Sequence, residues 1–170
     1  MCLVKEFQFG AVYIITMTNT EIKTELTQKL LQTGREGIEN TLQYLNDCDF
    51  FSTGCHSHHR YYGGLAKHSL ETYRYALTHN SDGLPEESIV IASLLHDVCS
   101  SHSYAARDIH RHGSRSVKIL ERLCRLKLTQ SEREAILHHM HRNADEMQTN
   151  SLARLIFRAD KVSAAGKVRL

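Results

Sequence analysis

The segment Ser93-Leu94-Leu95-His96-Asp97 sets an imidazole and a carboxylate side by side at the end of an apolar run that begins at Ile89. A helix that is apolar on nearly every face is buried. Such a helix carries both groups to a place short of water, where an ionised carboxylate persists only when paired or bound to a metal. The C-terminal end of a helix also bears partial negative charge, which favours a cation beyond it. His96 and Asp97 therefore read as half of a divalent-metal site. Taken alone, the dipeptide is more simply a hydrogen-bonded pair that caps a core helix.

Other residues of the same chemistry occupy apolar helical faces. Leu65, His68, Thr72 and Ala76 recur at helical spacing, which puts His68 on an inward stripe. Asp160 lies four residues after Ile156 and three after Phe157. His139 follows Ile136 by three and Ala135 by four, whereas His138 is turned about a quarter of the way round the helix. His112 adds a further imidazole near the start of another helix. Each residue singly has a plain reading as a core or loop side chain. Together, with no Lys or Arg partner evident in the sequence, each would bear a desolvation cost of several kcal/mol. One kind of ligand, a divalent cation, relieves them all. Mixed His and Asp donors suit Mn, Fe, Zn, Ni or Mg. A divalent ion lowers the pKa of bound water, and two ions stabilise both the attacking and the leaving oxygen of an in-line displacement. No nucleophilic side chain is then required, and Cys99, in an apolar neighbourhood that raises a thiol pKa, is not assigned as one. No P-loop or Gly-rich dinucleotide motif is present.

The elements that must position these groups are helices. Periodicity predicts them over Glu21 to Gln32, Ile38 to Leu45, Leu65 to Thr78, a stretch from Pro85 that carries His96 and Asp97, Gly113 to Leu126, Glu132 to His141 and Ser151 to Val162. Val117, Leu120, Leu123 and Cys124 form the expected buried face of the fifth. Thr18 with Glu21, and Thr129 with Glu132, have capping-box spacing. Residues 46 to 64 lack periodicity and read as a long loop of the kind that is usually functional or mobile. No alternating strand pattern follows residue 17, so the predicted class is all-α.

Five segments in order resemble the HD-domain superfamily of metal-dependent phosphohydrolases. They are Tyr62-Gly63-Gly64-Leu65-Ala66-Lys67-His68-Ser69-Leu70, Leu94-Leu95-His96-Asp97, His112-Gly113-Ser114-Arg115-Ser116-Val117, Ile136-Leu137-His138-His139-Met140 and Arg158-Ala159-Asp160-Lys161. The resemblance spans about residues 50 to 165 and implies a single helical bundle with the metal site between its core helices. It implies that His68, His96, Asp97 and Asp160 hold one metal. It also implies that His112 and His139 (with His138 as the alternative) complete a second site bridged by Asp97, the central catalytic carboxylate. Arg115 stands where relatives often have Lys and is a candidate phosphate clamp, or else a solvated helix-start arginine. The loop His58-His59-Arg60-Tyr61-Tyr62 is similar to one in HD-domain exoribonucleases that act from the 3′ end, which would bring His59 to the substrate mouth. The chain departs from the family at Ser100, where many relatives carry Lys three residues after the Asp.

Composition bounds the rest. At 170 residues the chain forms one domain, with residues 17–170 as the HD domain. Residues 1–16 are either an upstream extension, with Met17 as the natural start, or a short edge strand or packing arm. Their apolar run is too short to span a bilayer, and no signal peptide is evident, so no membrane partner is expected. A net charge of +2 does not argue for nucleic-acid binding. Five scattered cysteines without a CxxC pair fit reduced thiols in a cytoplasmic protein. The expected activity is hydrolysis of a phosphomonoester or phosphodiester, most simply a nucleotide, with one or two divalent ions as cofactor. The alternative is a catalytically weak HD module that binds nucleotide or metal as a sensor or partner, for which Ser100 is the main support.

Overall fold

Thr18 opens the first helix by a local exchange of hydrogen bonds. Its hydroxyl accepts from the Glu21 amide at 3.3 Å, and its own amide donates to Glu21 Oε2 at 2.7 Å. Thr129 and Glu132 repeat the arrangement at 3.2 and 2.9 Å. A computed structural model describes residues 17–101, 112–140, 150–168 and 170. The expectations for residues 1–16 lie outside these described residues.

The chain forms α1 (Asn19–Gln32), α2 (Ile38–Asp47), α3 (Gly64–Thr78) and α4 (Glu86–Leu95), then a 3₁₀ turn at Val98–Ser101. Next come α5 (His112–Lys118) with a π turn at Ile119–Leu123, α6 (Gln130–His138) and α7 (Ser151–Ala164). Among the described residues there is no strand, as the all-α reading expects. Every residue of α4 from Ile89 to Leu95 is buried. Helix α3 packs against α7, α4 and α1, while α6 packs against α7, α5 and α4. The helices that carry the candidate ligands are thus mutual neighbours around one core that includes Leu26, Leu30, Leu65, Leu70, Leu94, Ile136 and Ile156. Each such fully buried aliphatic side chain contributes about 1.5–3 kcal/mol.

The fifth predicted helix departs from its expected form. It loses regular α geometry at Ile119, where the Cys124 amide reaches back five residues to the Ile119 carbonyl at 3.0 Å. The wider turn shifts the helical phase of the side chains beyond Ile119. Val117, Leu120 and Cys124 are buried as expected, but Leu123 is turned outward and is 65% exposed.

Two further features fix the frame around the site. The Arg35 guanidinium donates to both Glu132 oxygens at 2.7 and 3.0 Å and to the Lys127 carbonyl at 2.8 Å. It also donates to Glu87 at 2.7 Å, which ties the α1–α2 connection to α4 and α6. The loop between α2 and α3 is pinned by backbone bonds. Gly63 N reaches Ser52 O at 3.0 Å, Leu65 N reaches Thr53 O at 3.1 Å, and Cys55 N and Tyr61 N both reach His59 O, at 3.2 and 2.9 Å. His59 sits at φ 46°, in the left-handed region. Any Cβ on Gly64 would collide with the His59 carbonyl, so glycine is required there for the loop to close on α3. No helix among the described residues is long and apolar enough to cross a membrane.

Candidate metal centre

Three histidines have their tautomers assigned by their acceptors. His96 caps α4 and points Nδ1 at the Ser93 carbonyl, 2.7 Å away. His139 caps α6 and points Nδ1 at the Ile136 carbonyl, also 2.7 Å away. A carbonyl only accepts, so each Nδ1 carries a proton, and in the neutral ring Nε2 is the atom with a free lone pair. His68 reaches the same state through a relay. Its Nδ1 donates to Ser163 Oγ at 2.9 Å, and that hydroxyl donates to Glu71 Oε2 at 2.9 Å. All three histidines are fully buried.

Their Nε2 atoms converge on two carboxylates. The Nε2 atoms of His68 and His96 are 3.2 Å apart. His68 Nε2 lies 3.1 Å from Asp160 Oδ1, and His96 Nε2 lies 3.8 Å from that oxygen and 3.7 Å from Asp97 Oδ2. The other Asp97 oxygen, Oδ1, faces His139 Nε2 at 3.0 Å and His112 Nε2 at 2.6 Å. With neutral rings, lone pair would face lone pair between His68 and His96, and again between His139 and Asp97. Such contacts are repulsive until a cation or a proton lies between them. The donor set of neutral imidazoles with carboxylates, each imidazole held by an outer partner, fits a divalent cation.

Two donor groups can be drawn, and Asp97 belongs to both. His68, His96 and Asp97 form the first, with Asp160 beside it, and Asp97, His112 and His139 form the second. One carboxylate oxygen turns to each group. His58, His59 and His68 form a third cluster by proximity. His68 has both nitrogens committed elsewhere, so this cluster is not an independent site.

The electrostatics follow from burial and pairing. Desolvation would raise both carboxyl groups. It is overcome at Asp97 by His96 and His112, which hold that group well below the usual carboxylate range. The same balance at Asp160 is tipped downward by His68, whose Nε2 lies 3.1 Å from Oδ1, and by His96. Burial pushes His96 down to about 4, so it is neutral near pH 7 and ready to ligate. Burial opposes protonation of His112 too, but Asp97 beside it lifts its imidazole to about 11. His112 Nδ1 lies 3.3 Å from Cys99 Sγ, and Ser100 Oγ lies 3.2 Å from His112 Nε2.

The cluster floors a cavity of about 860 Å³. Asp97, His112 and Asp160 line it from below, and the α2–α3 loop supplies most of one wall, including His58, Arg60, Tyr61 and Tyr62. Lys161 also lines it, with Nζ 3.1 Å from Asp160 Oδ2, a cationic partner that helical spacing had not suggested. The structure brings together all six sequence-expected ligands: His68, His96, Asp97, His112, His139 and Asp160. His138 is half-buried on α6, whereas His139 faces the cluster. Arg115 is half-buried on α5 and is not among the residues that line the cavity. His59 is not among them either: its Nε2 lies 2.9 Å from Glu71 Oε2, which anchors the loop, and its neighbour His58 faces the cavity instead.

Sequence reasoning missed Glu71 and Ser163, the outer partners of His68. The available signal was spacing: Glu71 lies three residues after His68 and Ser163 three after Asp160, each on the same helical face as its ligand. Comparison with protein families gives one finding, a match of the HD domain family model to residues 65–165. Comparisons with curated proteins and with solved structures give no significant match.

Proposed function

Because the chain belongs to the HD-domain family, shown by a match over more than half its length, we propose that it is a metal-dependent phosphohydrolase acting on a phosphomonoester or phosphodiester of nucleotide type. The observation that carries this reading is the convergence of buried, lone-paired Nε2 atoms and two carboxylates on the floor of one cavity, with Asp97 turned to both donor groups. His68, His96, Asp97 and Asp160 would hold one divalent cation, and Asp97, His112 and His139 a second. Ions held there supply Lewis acidity toward a phosphoryl oxygen and a water acidic enough to attack near neutral pH. Mn, Fe, Ni or Zn suits the nitrogen-rich donors better than Mg.

The chain's own residues contribute position and charge. Ser163 and Glu71 orient His68, and the Ser93 and Ile136 carbonyls orient His96 and His139. Lys161 and Arg60, on the cavity wall, offer positive charge to substrate phosphate in place of the Lys that relatives carry at the Ser100 position. Arg115 is assigned no substrate role in this reading.

That serine supports a second reading, a catalytically weak module that binds nucleotide or metal as a sensor. Turnover of bis-p-nitrophenyl phosphate separates the two. The hydrolase reading expects turnover that appears on adding Mn²⁺ and disappears with chelator. Bound metal without turnover of this or any nucleotide phosphoester would favour the sensor.

A further inference from the structure

One wall of the cavity has no part in holding a cation, and it carries two adjacent aromatic rings. Tyr61 is 49% and Tyr62 70% exposed, and both line the same cavity as Asp97 and Asp160. Single exposed aromatics are common, but two rings on the rim of a cavity with charged groups at its base form a patch of the kind that marks a binding site. The loop beneath them is pinned at both ends. Backbone bonds join Gly63 to Ser52 and Leu65 to Thr53, and the side chain of His59 is anchored on buried Glu71. The backbone that carries the rings is therefore fixed before any ligand arrives, which reduces the ordering cost of binding.

The two tyrosines are not equivalent. Tyr61 has Lys67 Nζ 5.9 Å from its ring centroid and the His59 ring 5.9 Å away. Tyr62 has no ring or cation partner among the described residues, which leaves its faces to a ligand. Arg60, from the same loop, and Lys161, beside Asp160, also line the cavity. The cavity thus brings together carboxylates and imidazoles, two cations and two exposed aromatic rings. A phosphate joined to a flat heterocycle matches that set of groups, and a cavity of about 860 Å³ has room for both.

We propose that Tyr62, flanked by Tyr61, is the stacking platform for the base of a nucleotide, and that Arg60 contacts its phosphate. This inference rests on the phosphoester reading for the position of the phosphate. Binding to the full chain loaded with Mn²⁺ tests it by calorimetry with two non-hydrolysable probes. One is an adenosine phosphonate, which has a P–C bond; the other is methylphosphonate, which has no base.

The adenosine phosphonate should bind more tightly than methylphosphonate. Tyr62→Ala should weaken only the adenosine compound, by about tenfold, and Tyr62→Phe should restore it. An unchanged melting temperature confirms that the exposed substitution leaves the fold intact. The same base could belong to a free nucleotide or to the end of a strand. Competition by AMP and by a short oligoadenylate identifies which, and Tyr62→Ala must weaken the tighter of them. Equal weakening of both phosphonates by Tyr62→Ala, or of neither, overturns the platform. Absence of hydrolysis with Tyr62-dependent binding intact counts against the hydrolase reading alone. Nucleotide hydrolysis with Tyr62-independent affinity counts against the platform alone.

Discussion

Asp97 is the residue on which the site turns, because its two oxygens face different donor groups. Oδ2 looks toward His96 and Oδ1 toward His112 and His139. The histidines around it differ in protonation for a physical reason, and that difference sets the acid–base behaviour of the metal-free protein. Burial holds His96 unprotonated until about pH 4, whereas an unfolded histidine takes its proton near 6.5. The folded value is depressed, so this contribution, about 3 kcal/mol, is full above 6.5 and is lost as pH falls toward 4. His58, also lowered to about 4 by burial, acts in the same direction. His112 acts the other way. Asp97 raises it to about 11 despite burial, so its contribution is full below 6.5 and is lost as pH rises. The metal-free protein should therefore be most stable near pH 6.5, with the urea midpoint falling on both sides. A midpoint that rises or falls monotonically from pH 4 to 10 would contradict this balance. One step outward, Glu71 accepts from both Ser163 and His59 through a single oxygen. Glu71→Gln should weaken metal binding about 10- to 100-fold in chelator competition, without changing the number of ions bound.

At the scale of elements, the frame depends on groups far apart in the chain. Glu132 is fully buried, and its charge is balanced by Arg35, with Ser88 and the Thr129 amide filling its remaining acceptor positions. Arg35→Ala would leave that carboxylate buried and unpaired, at a cost of about 3–5 kcal/mol. A denaturant titration checks this, and a loss below about 1 kcal/mol would show that water reaches Glu132. Nothing local in the sequence announces this tie, because its partners are 97 residues apart. The caps of α1 and α6 were legible because a capping box is complete within four residues. His68, His139 and Asp160 were legible because a polar group on an apolar stripe shows in the periodicity. Leu123 was misread because a π turn leaves no mark in that periodicity. The loop from Cys48 to Gly63 has no period at all, so whether His58 or His59 faced the cavity could not be read from spacing. His59 is drawn away by Glu71, a tertiary partner. Spacing set Glu71 beside His68 and Ser163 beside Asp160, but nothing in it showed that α3 and α7 meet to complete the relay.

Across the whole molecule, the donors come from α3, the ends of α4 and α6, the start of α5, and α7. A cation at this place therefore adds a tie between elements already joined by apolar packing and by the Ser163–Glu71 and Ser88–Glu132 hydrogen bonds. A ligand that binds the folded chain and not the unfolded one stabilises it by mass action, and sites with several dispersed donors are scarcely formed in the unfolded state. In the metal-free chain with neutral rings, the contacts between His68 and His96 and between His139 and Asp97 oppose closure of the bundle. Loading should thus raise the melting temperature twice over, by binding and by relieving repulsion. Removing the metal with chelator should lower the melting temperature by several degrees, and re-adding Mn²⁺ should restore it. Asp97→Ala removes the carboxylate shared by both donor groups, so that variant should bind little metal by elemental analysis and show no chelator-dependent shift. The double variant His112→Ala, His139→Ala should keep one ion, about half of the shift and little hydrolytic rate. If Asp97→Ala retains the full metal content and the full shift, Asp97 does not join the two donor groups, and the cations are held elsewhere.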